Sequence, residues 1–322
     1  LAVAVGTGAR ILGRFTGAFP DVLIALAAGI ALSNLSRLPE SVRPGIRFVL
    51  NKVLRAAIIL LGAGLTLAAI ARLGGATLWL VLICVCIAVS LGLLLARAAR
   101  LPGAVGTLIG AGTAICGGTA IVAIGPLIEA TDEEIAYAVT TIFTFNIIAL
   151  VVYPILGHVF SLDQVAFGSW DGTAVNDTSV VVATGYVYGP LAGATATVVK
   201  LTRTMLLIPL AFLLGTAHAA RSRDGSRAKL SPRALLKSVP WFVLGFAGMA
   251  LLNSTGLIPE AVSSDLTALA GFLIVVVLAA VGLNVDIANI RRMGLRPLGI
   301  GLGLALIMAI VSLSLVKVLH IG

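Results

Sequence analysis

Two glycine-interrupted segments carry most of the polar chemistry of this chain. Residues 112–125 read GTAICGGTAIVAIG and residues 172–185 read GTAVNDTSVVVATG, an ungapped echo with six identical positions. Gly112, Gly117 and Gly118 each weaken a helix by about 1 kcal/mol relative to alanine. In the second copy Gly172 and Thr173 lead into Asn176, Asp177, Thr178 and Ser179, residue types preferred as helix N-caps. The pattern predicts a half-helix, an unwound stretch, and a new half-helix starting near Thr119 or Thr178. A fresh helix N-terminus presents free N–H groups and partial positive charge, which suits an anion. Thr113, Cys116, Thr119, Thr178 and Ser179 would line such a site. Matched, glycine-broken apolar segments are a sequence pointer to a transporter's binding site.

A second cluster lies just downstream. Lys200 and Arg203 sit in the apolar run VVKLTRTMLLIPL, three residues apart and so on one helix face. Each costs about 2.5–3.5 kcal/mol at the centre of a membrane helix, so both are expected to face the interior. Asp177 is the nearest acid and the expected partner. The three groups sum to +1, a field that suits a small oxyanion. If Asp177 instead caps its own helix alone, it competes with any anion, and the site then favours Na⁺ or H⁺. Asn146 is a lesser coupling-ion candidate, with a hydrogen bond to a neighbouring helix as the simpler reading. Asn284 and Asp286 rank lower still.

The elements that must position these residues follow from composition. The 322 residues are 59% hydrophobic and 11% charged, with mean hydropathy +1.12. Soluble domains carry about 25% charged residues, so the chain is expected to be an all-α polytopic membrane protein. Long apolar runs argue against a β-barrel. Ten spans are expected, near 21–35, 50–72, 76–97, 103–129, 134–159, 164–188, 190–217, 239–256, 264–285 and 296–319, against the ~20 residues that cross a bilayer. Residues 1–20 stay unassigned, and 218–238 reads as a basic loop within a single transmembrane domain, 1–322.

The net charge of +9 is concentrated in short loops, which excludes a nucleic-acid face and gives an orientation signal. Arg37, Arg43, Arg47, Lys52 and Arg55, then Arg97 and Arg100, then the 218–238 loop, then Arg291, Arg292 and Arg296 fall on one side of ten alternating spans. These loops are placed in the cytoplasm of a bacterial inner membrane. Glu129, Asp132, Glu133, Glu134, Glu260 and Asp265 fall on the other side. Three cysteines (Cys84, Cys86, Cys116) and three histidines (His158, His218, His320) make no metal or disulfide pattern. There is no hydrolase, zinc-protease or Walker motif, so no enzyme and no cofactor are expected.

A second echo pairs GLTLAAIARLG (64–74) with GLNVDIANIRRMG (282–294). By the charge count these lie on opposite sides, as in an inverted repeat. The 112 and 172 copies come out parallel by simple alternation. Either one segment dips in and returns, or that echo is not an inversion.

Together, LIGAGTAICGGTAIVAIGPLI (108–128), GTAVNDTSVVVATG, VKLTRTMLLIPL (199–210) and GLNVDIANIRRMG resemble the YeiH-type family of bacterial membrane proteins, described as sulfate exporters, over essentially the whole chain. That resemblance implies kinship with the bile-acid/auxin carriers and cation–proton antiporters. It further implies inverted repeats, two crossed discontinuous helices, core and panel subdomains, an elevator-like motion and a homodimer. Some members carry a His-Glu pair where this chain has Asn176-Asp177, so histidine-based proton coupling does not carry over. The expected activity is secondary transport of a small oxyanion, sulfate or an organosulfonate, with Na⁺ or H⁺ as coupling ion and no nucleic-acid partner. The alternative is a cation-coupled carrier of a non-anionic substrate centred on Asp177. A channel ranks last.

Overall fold

In the computed structural model, residues 1–16, 21–35, 39–98, 104–221, 241–284 and 295–321 are described, and among them every regular element is helical. Arg37, Arg100, Asp286, Arg291 and Arg292 lie outside the described residues, as does most of the 218–238 loop. Among the described residues five helical stretches are long and apolar enough to cross a membrane: Leu67–Leu95, Asp132–Val159, Pro190–Ala217 (two helices meeting at Leu206), Glu260–Leu283 and Gly301–Val318. Shorter apolar helices account for other expected spans, among them Asp21–Leu35, Val105–Ala114, Gly118–Ile128, Thr178–Tyr188 and Trp241–Ser254. The architecture is that of a polytopic helical membrane protein.

The unassigned N-terminus forms α1 (Ala2–Thr16), which packs against α2 (Asp21–Leu35) and a late helix, α14 (Glu260–Leu283). Arg10 in α1 lies 5.2 Å above the Phe272 ring of α14, so its charge rides on an aromatic face while its helix stays apolar.

The expected boundary between the second and third spans needs correcting. Residues 40–64 form one helical stretch: a 3-10 turn, α3 (Arg43–Phe48), a π segment (Val49–Val53), α4 (Leu54–Leu61) and a closing 3-10 turn at Gly62–Gly64. Leu65 is extended, and α5 then runs unbroken over Leu67–Ala98. Gly74 and Gly75 therefore do not end a span, because two glycine penalties are small against 32 residues of hydrocarbon. Arg43, Arg47, Lys52 and Arg55, expected in a loop, are helical.

Past α5 the chain forms α6 (Val105–Ala114), α7 (Gly118–Ile124) with a 3-10 extension, α8 (Asp132–Val159), α9 (Gln164–Ala174), α10 (Thr178–Tyr188), α11 (Pro190–Met205) and α12 (Leu207–Arg221). The described part ends with α13 (Trp241–Ser254), α14 and α15 (Leu295–Val318). A capping box starts α8: Thr131 Oγ1 accepts from Glu134 N (3.2 Å), and Glu134 Oε2 accepts from Thr131 N (2.8 Å). The other oxygen, Oε1, accepts from Ala104 N (2.9 Å) at the start of α6. Asp163 caps α9 through Val165 N and Ala166 N. Gln164 Oε1 accepts from Leu191 N and Ala192 N at the head of α11, which also carries Pro190 at its first position.

The helices pack mainly within two groups: α1, α2, the 40–64 stretch, α13 and α14, and α5 through α12 with α15, while α10 also touches α2 and α14, and α5 touches α13. Within the second group α5 and α6 touch backbone to backbone: a Cβ on Gly92 would lie 2.3 Å from Gly110 Cα. Small residues that let membrane helices approach this closely are a recurrent packing device.

Candidate functional site

Both motif copies are interrupted helices, as their glycine and N-cap content predicts. The first break spans Ile115–Gly117 between α6 and α7, and the second spans Val175–Asp177 between α9 and α10. Gly117 has φ 66° and ψ −127°, and its N–H donates to the Gly112 carbonyl (2.9 Å). A Cβ there would lie 3.6 Å from the Asn176 carbonyl carbon and 3.4 Å from Ile142 Cγ2. The two breaks therefore meet, and space at Gly117 is ordinary. The cost of a side chain lies in the backbone conformation, which only glycine adopts readily. Gly117→Ala is expected to lose about 1–3 kcal/mol of stability, seen as a lower melting temperature in detergent.

Breaking a helix strands its last carbonyls, and away from water these must find donors. Lys200 and Arg203 supply them. Lys200 Nζ donates to the Ile115 carbonyl (2.8 Å) and the Val175 carbonyl (3.1 Å). Arg203 Nε donates to the Ala114 carbonyl, while Nη1 donates to Thr173 (2.7 Å), Val175 (3.2 Å) and Gly172 (3.4 Å). Two cations thus sit on the carbonyl ends of α6 and α9, where helix dipoles concentrate negative charge. Lys200 is 0% exposed and Arg203 1%, and neither is among the residues lining the cavity described below. The expected pairing of these cations with Asp177 gives way to this arrangement, because broken-helix carbonyls are nearer and more numerous acceptors.

Asp177 instead caps α10. Its Oδ1 accepts from Ser179 N (2.8 Å) and from the Ser179 hydroxyl. Asn146 in α8 closes the same turn, its Oδ1 accepting from Asn176 N (3.3 Å) and Asp177 N (3.2 Å). That is the helix-bonding role expected for Asn146. Its Nδ2 is buried without a hydrogen-bond partner, and the residue lines the adjoining cavity.

That cavity has two adjoining lobes of about 580 and 630 Å³ between the two helix groups. From the broken-helix side Cys116, Gly118, Thr119, Asp177, Thr178 and Ser179 line it. Gly112, Thr113, Gly117, Gly172, Thr173 and Asn176 are buried behind that wall. The opposite wall comes from the 40–64 stretch and α13: Arg47, Asn51, Arg55 and Phe242 among others. Arg55 lies 5.7 Å from the Phe242 ring centroid. No described carboxylate pairs with Arg47 or Arg55. With Asp177 facing them, the charged lining sums to +1.

Sequence reading missed Arg47, Asn51 and Arg55 because orientation counting placed them in a loop. A usable signal was present: spaced four apart, they form one stripe on a helix. The π segment between them is a feature that often accompanies functional sites. Also missed was Asp171, one residue ahead of the second motif, fully buried with neither carboxylate oxygen hydrogen-bonded. No group of three or more His, Cys, Asp or Glu among the described residues fits a metal.

Comparison with known proteins agrees with this architecture at the level of family. Residues 1–301 match the family model described as conserved hypothetical protein 698. A UPF0324 membrane protein of Clostridium tetani is 34% identical over 299 residues, covering 90% of this chain and 87% of the relative. Another from Fusobacterium nucleatum is 32% identical over 330 residues, covering 96% and 94%. One from Agrobacterium fabrum is 33% identical over 302 residues, covering 94% and 83%. No solved structure matches. A many-helix apolar chain, matched nearly end to end by these relatives, belongs to the conserved hypothetical protein 698 family of UPF0324 membrane proteins.

Proposed function

We propose that this chain is a secondary carrier of a small oxyanion, sulfate or an organosulfonate, working by alternating access in the bacterial plasma membrane. One observation carries the reading. Arg47 and Arg55, without described acid partners, face a crossing of broken helices that offers the Thr119 and Thr178 hydroxyls and the spare Asn146 amide. Guanidinium groups match the planar edges of oxyanions, and hydroxyl and amide donors complete such a shell.

In this reading the α5–α12 and α15 group is the moving core and the α1, α2, 40–64, α13 and α14 group the panel. The cavity between them opens to one side at a time. The protein acts as a homodimeric exporter with its basic loops in the cytoplasm, as the likeness to YeiH-type sulfate exporters suggests. Asp177, half-buried at the cavity wall and capping α10, serves as the site for a coupling Na⁺ or H⁺.

The test is ligand-induced stabilisation of the purified protein by sulfate, sulfonates, carboxylates and chloride at matched ionic strength. A bound oxyanion at about 100 times its Kd adds about 2.7 kcal/mol, a clear rise in melting temperature. If no oxyanion exceeds chloride, the substrate class is wrong. Asp177 at its N-cap also favours a second reading, a cation-coupled carrier of a non-anionic substrate. Stabilisation by Na⁺ alone, lost in Asp177→Asn, would select it.

A further inference from the structure

Asp171 stands apart from the cavity and from every role assigned above. It lies in α9 and is 0% exposed, and neither carboxylate oxygen has a hydrogen-bond partner. An ionised carboxylate in such surroundings has neither water nor donors to replace its hydration. A carboxylic acid does not carry that cost.

The groups facing it are few. From α10 the Thr184 hydroxyl is near, but its one proton goes to the Val180 carbonyl. From α11 Lys200 is within electrostatic reach, with its ammonium given to Ile115 and Val175. Arg203, one turn on, is spent on carbonyls of the same two breaks, and Cys84 of α5 lies beside it. From α8 the Tyr153 phenol faces Asp171, and its ring stacks on Trp170 at 4.4 Å. From α15 the Ala309 carbonyl holds Trp170 Nε1, while Lys317 sits over Phe160.

We infer that Asp171 is a proton-binding site, and that its proton sets the state of the helix crossing. With the carboxyl O–H bond intact, Asp171 is neutral and makes no demand on its neighbours. Lys200 then keeps the carbonyls of Ile115 and Val175, and the two breaks stay locked together. When that O–H bond breaks and the proton passes to water, the carboxylate needs donors. Of the donors around it, Lys200 and Thr184 can serve it only by leaving a backbone carbonyl. Since Val175 N donates to the Asp171 carbonyl (3.0 Å) and the Val175 carbonyl accepts from Lys200, one helical turn links the acid to the break. Loss of the proton thereby loosens the crossing that forms the cavity wall. Asp177 answers to the cavity, whereas Asp171 answers to the core behind it.

The coupling part of this inference rests on the carrier reading, while the proton site does not. Infrared difference spectroscopy on the full chain in lipid, between acid and alkaline buffer, tests the site directly. A protonated-carboxyl band that shifts in D₂O, disappears with pH and is missing in Asp171→Asn is expected. Asp171→Glu should move that band, which preserves the assignment if the asparagine variant fails to fold. A spectrum unchanged by both substitutions overturns the proton site. In liposomes Asp171→Asn, fixed in the neutral form, is expected to show a weaker response of oxyanion flux to an imposed pH gradient than wild type, even if Asp177 also binds a proton. An undiminished response overturns the coupling. Wild-type protein that shows the band but moves no oxyanion would count against the carrier reading alone.

Discussion

Arg203→Ala is expected to destabilise the protein by roughly 3–5 kcal/mol, the range seen when one partner of a buried charged network is removed. The guanidinium bridges Ala114 at the end of α6 to Gly172, Thr173 and Val175 at the end of α9. Truncation returns the cost of burying a cation, but it strands the carbonyls of two helix ends at once. Each unmet buried acceptor costs about 1–3 kcal/mol, and no water reaches a side chain that is 1% exposed. Arg203→Lys should recover only part, since a point ammonium cannot span the same fork of carbonyls. Lys200→Met should cost less than Arg203→Ala, because it frees two carbonyls. Melting curves in detergent, without substrate, measure all three. A variant that melts like wild type yet no longer binds oxyanion would return Arg203 to the role of a substrate ligand.

That distinction bears on what the residues alone made legible. Unfavourable cations in an apolar run had to face the interior with partners, and they do. Their partners were harder to read, because backbone carbonyls carry no letter in a sequence. The helix breaks were legible, since Gly117-Gly118 and Asn176-Asp177-Thr178 oppose helix by mechanism as well as by composition. Asp177 as N-cap follows from the same preference, and it displaces the charge balance first drawn around Lys200 and Arg203. The long helix α5 was misread because Arg72, Gly74 and Gly75 resemble a loop, whereas the turn that ends the preceding helix is the shorter Gly62–Gly64. Asp171 went unseen for a different reason. An acid becomes conspicuous only when its surroundings fail to supply donors, and that is a property of packing around α9, not of the string Trp-Asp-Gly.

The reassignment of positive charge to the cavity makes its own strong prediction. Arg55→Ala is expected to weaken oxyanion binding about 10- to 100-fold, the loss of one or two charge-assisted hydrogen bonds at about 1.5–3 kcal/mol in all. Its effect on stability should be small. Arg55 is half-buried, its described non-backbone contact is the Phe242 ring at 5.7 Å, and a cation–π contact of that kind is worth about 0.5–1 kcal/mol. Arg47 lies two turns away on the same stripe and is exposed, so Arg47→Ala should act mainly on capture. Its effect should fade as salt rises, because exposed charges are screened beyond about 10 Å at 0.1 M. Titration of sulfate or a sulfonate by calorimetry at two ionic strengths separates the two arginines. The pattern opposes that of Arg203 in both readouts: Arg203→Ala lowers the melting temperature of the empty protein, and Arg55→Ala lowers affinity in a protein that still folds. If Arg47→Ala and Arg55→Ala together leave affinity unchanged, the cavity between the two helix groups does not hold the anion. If Arg55→Ala behaves like Arg203→Ala, the 40–64 stretch is a structural strut, and the substrate must meet the broken helices elsewhere.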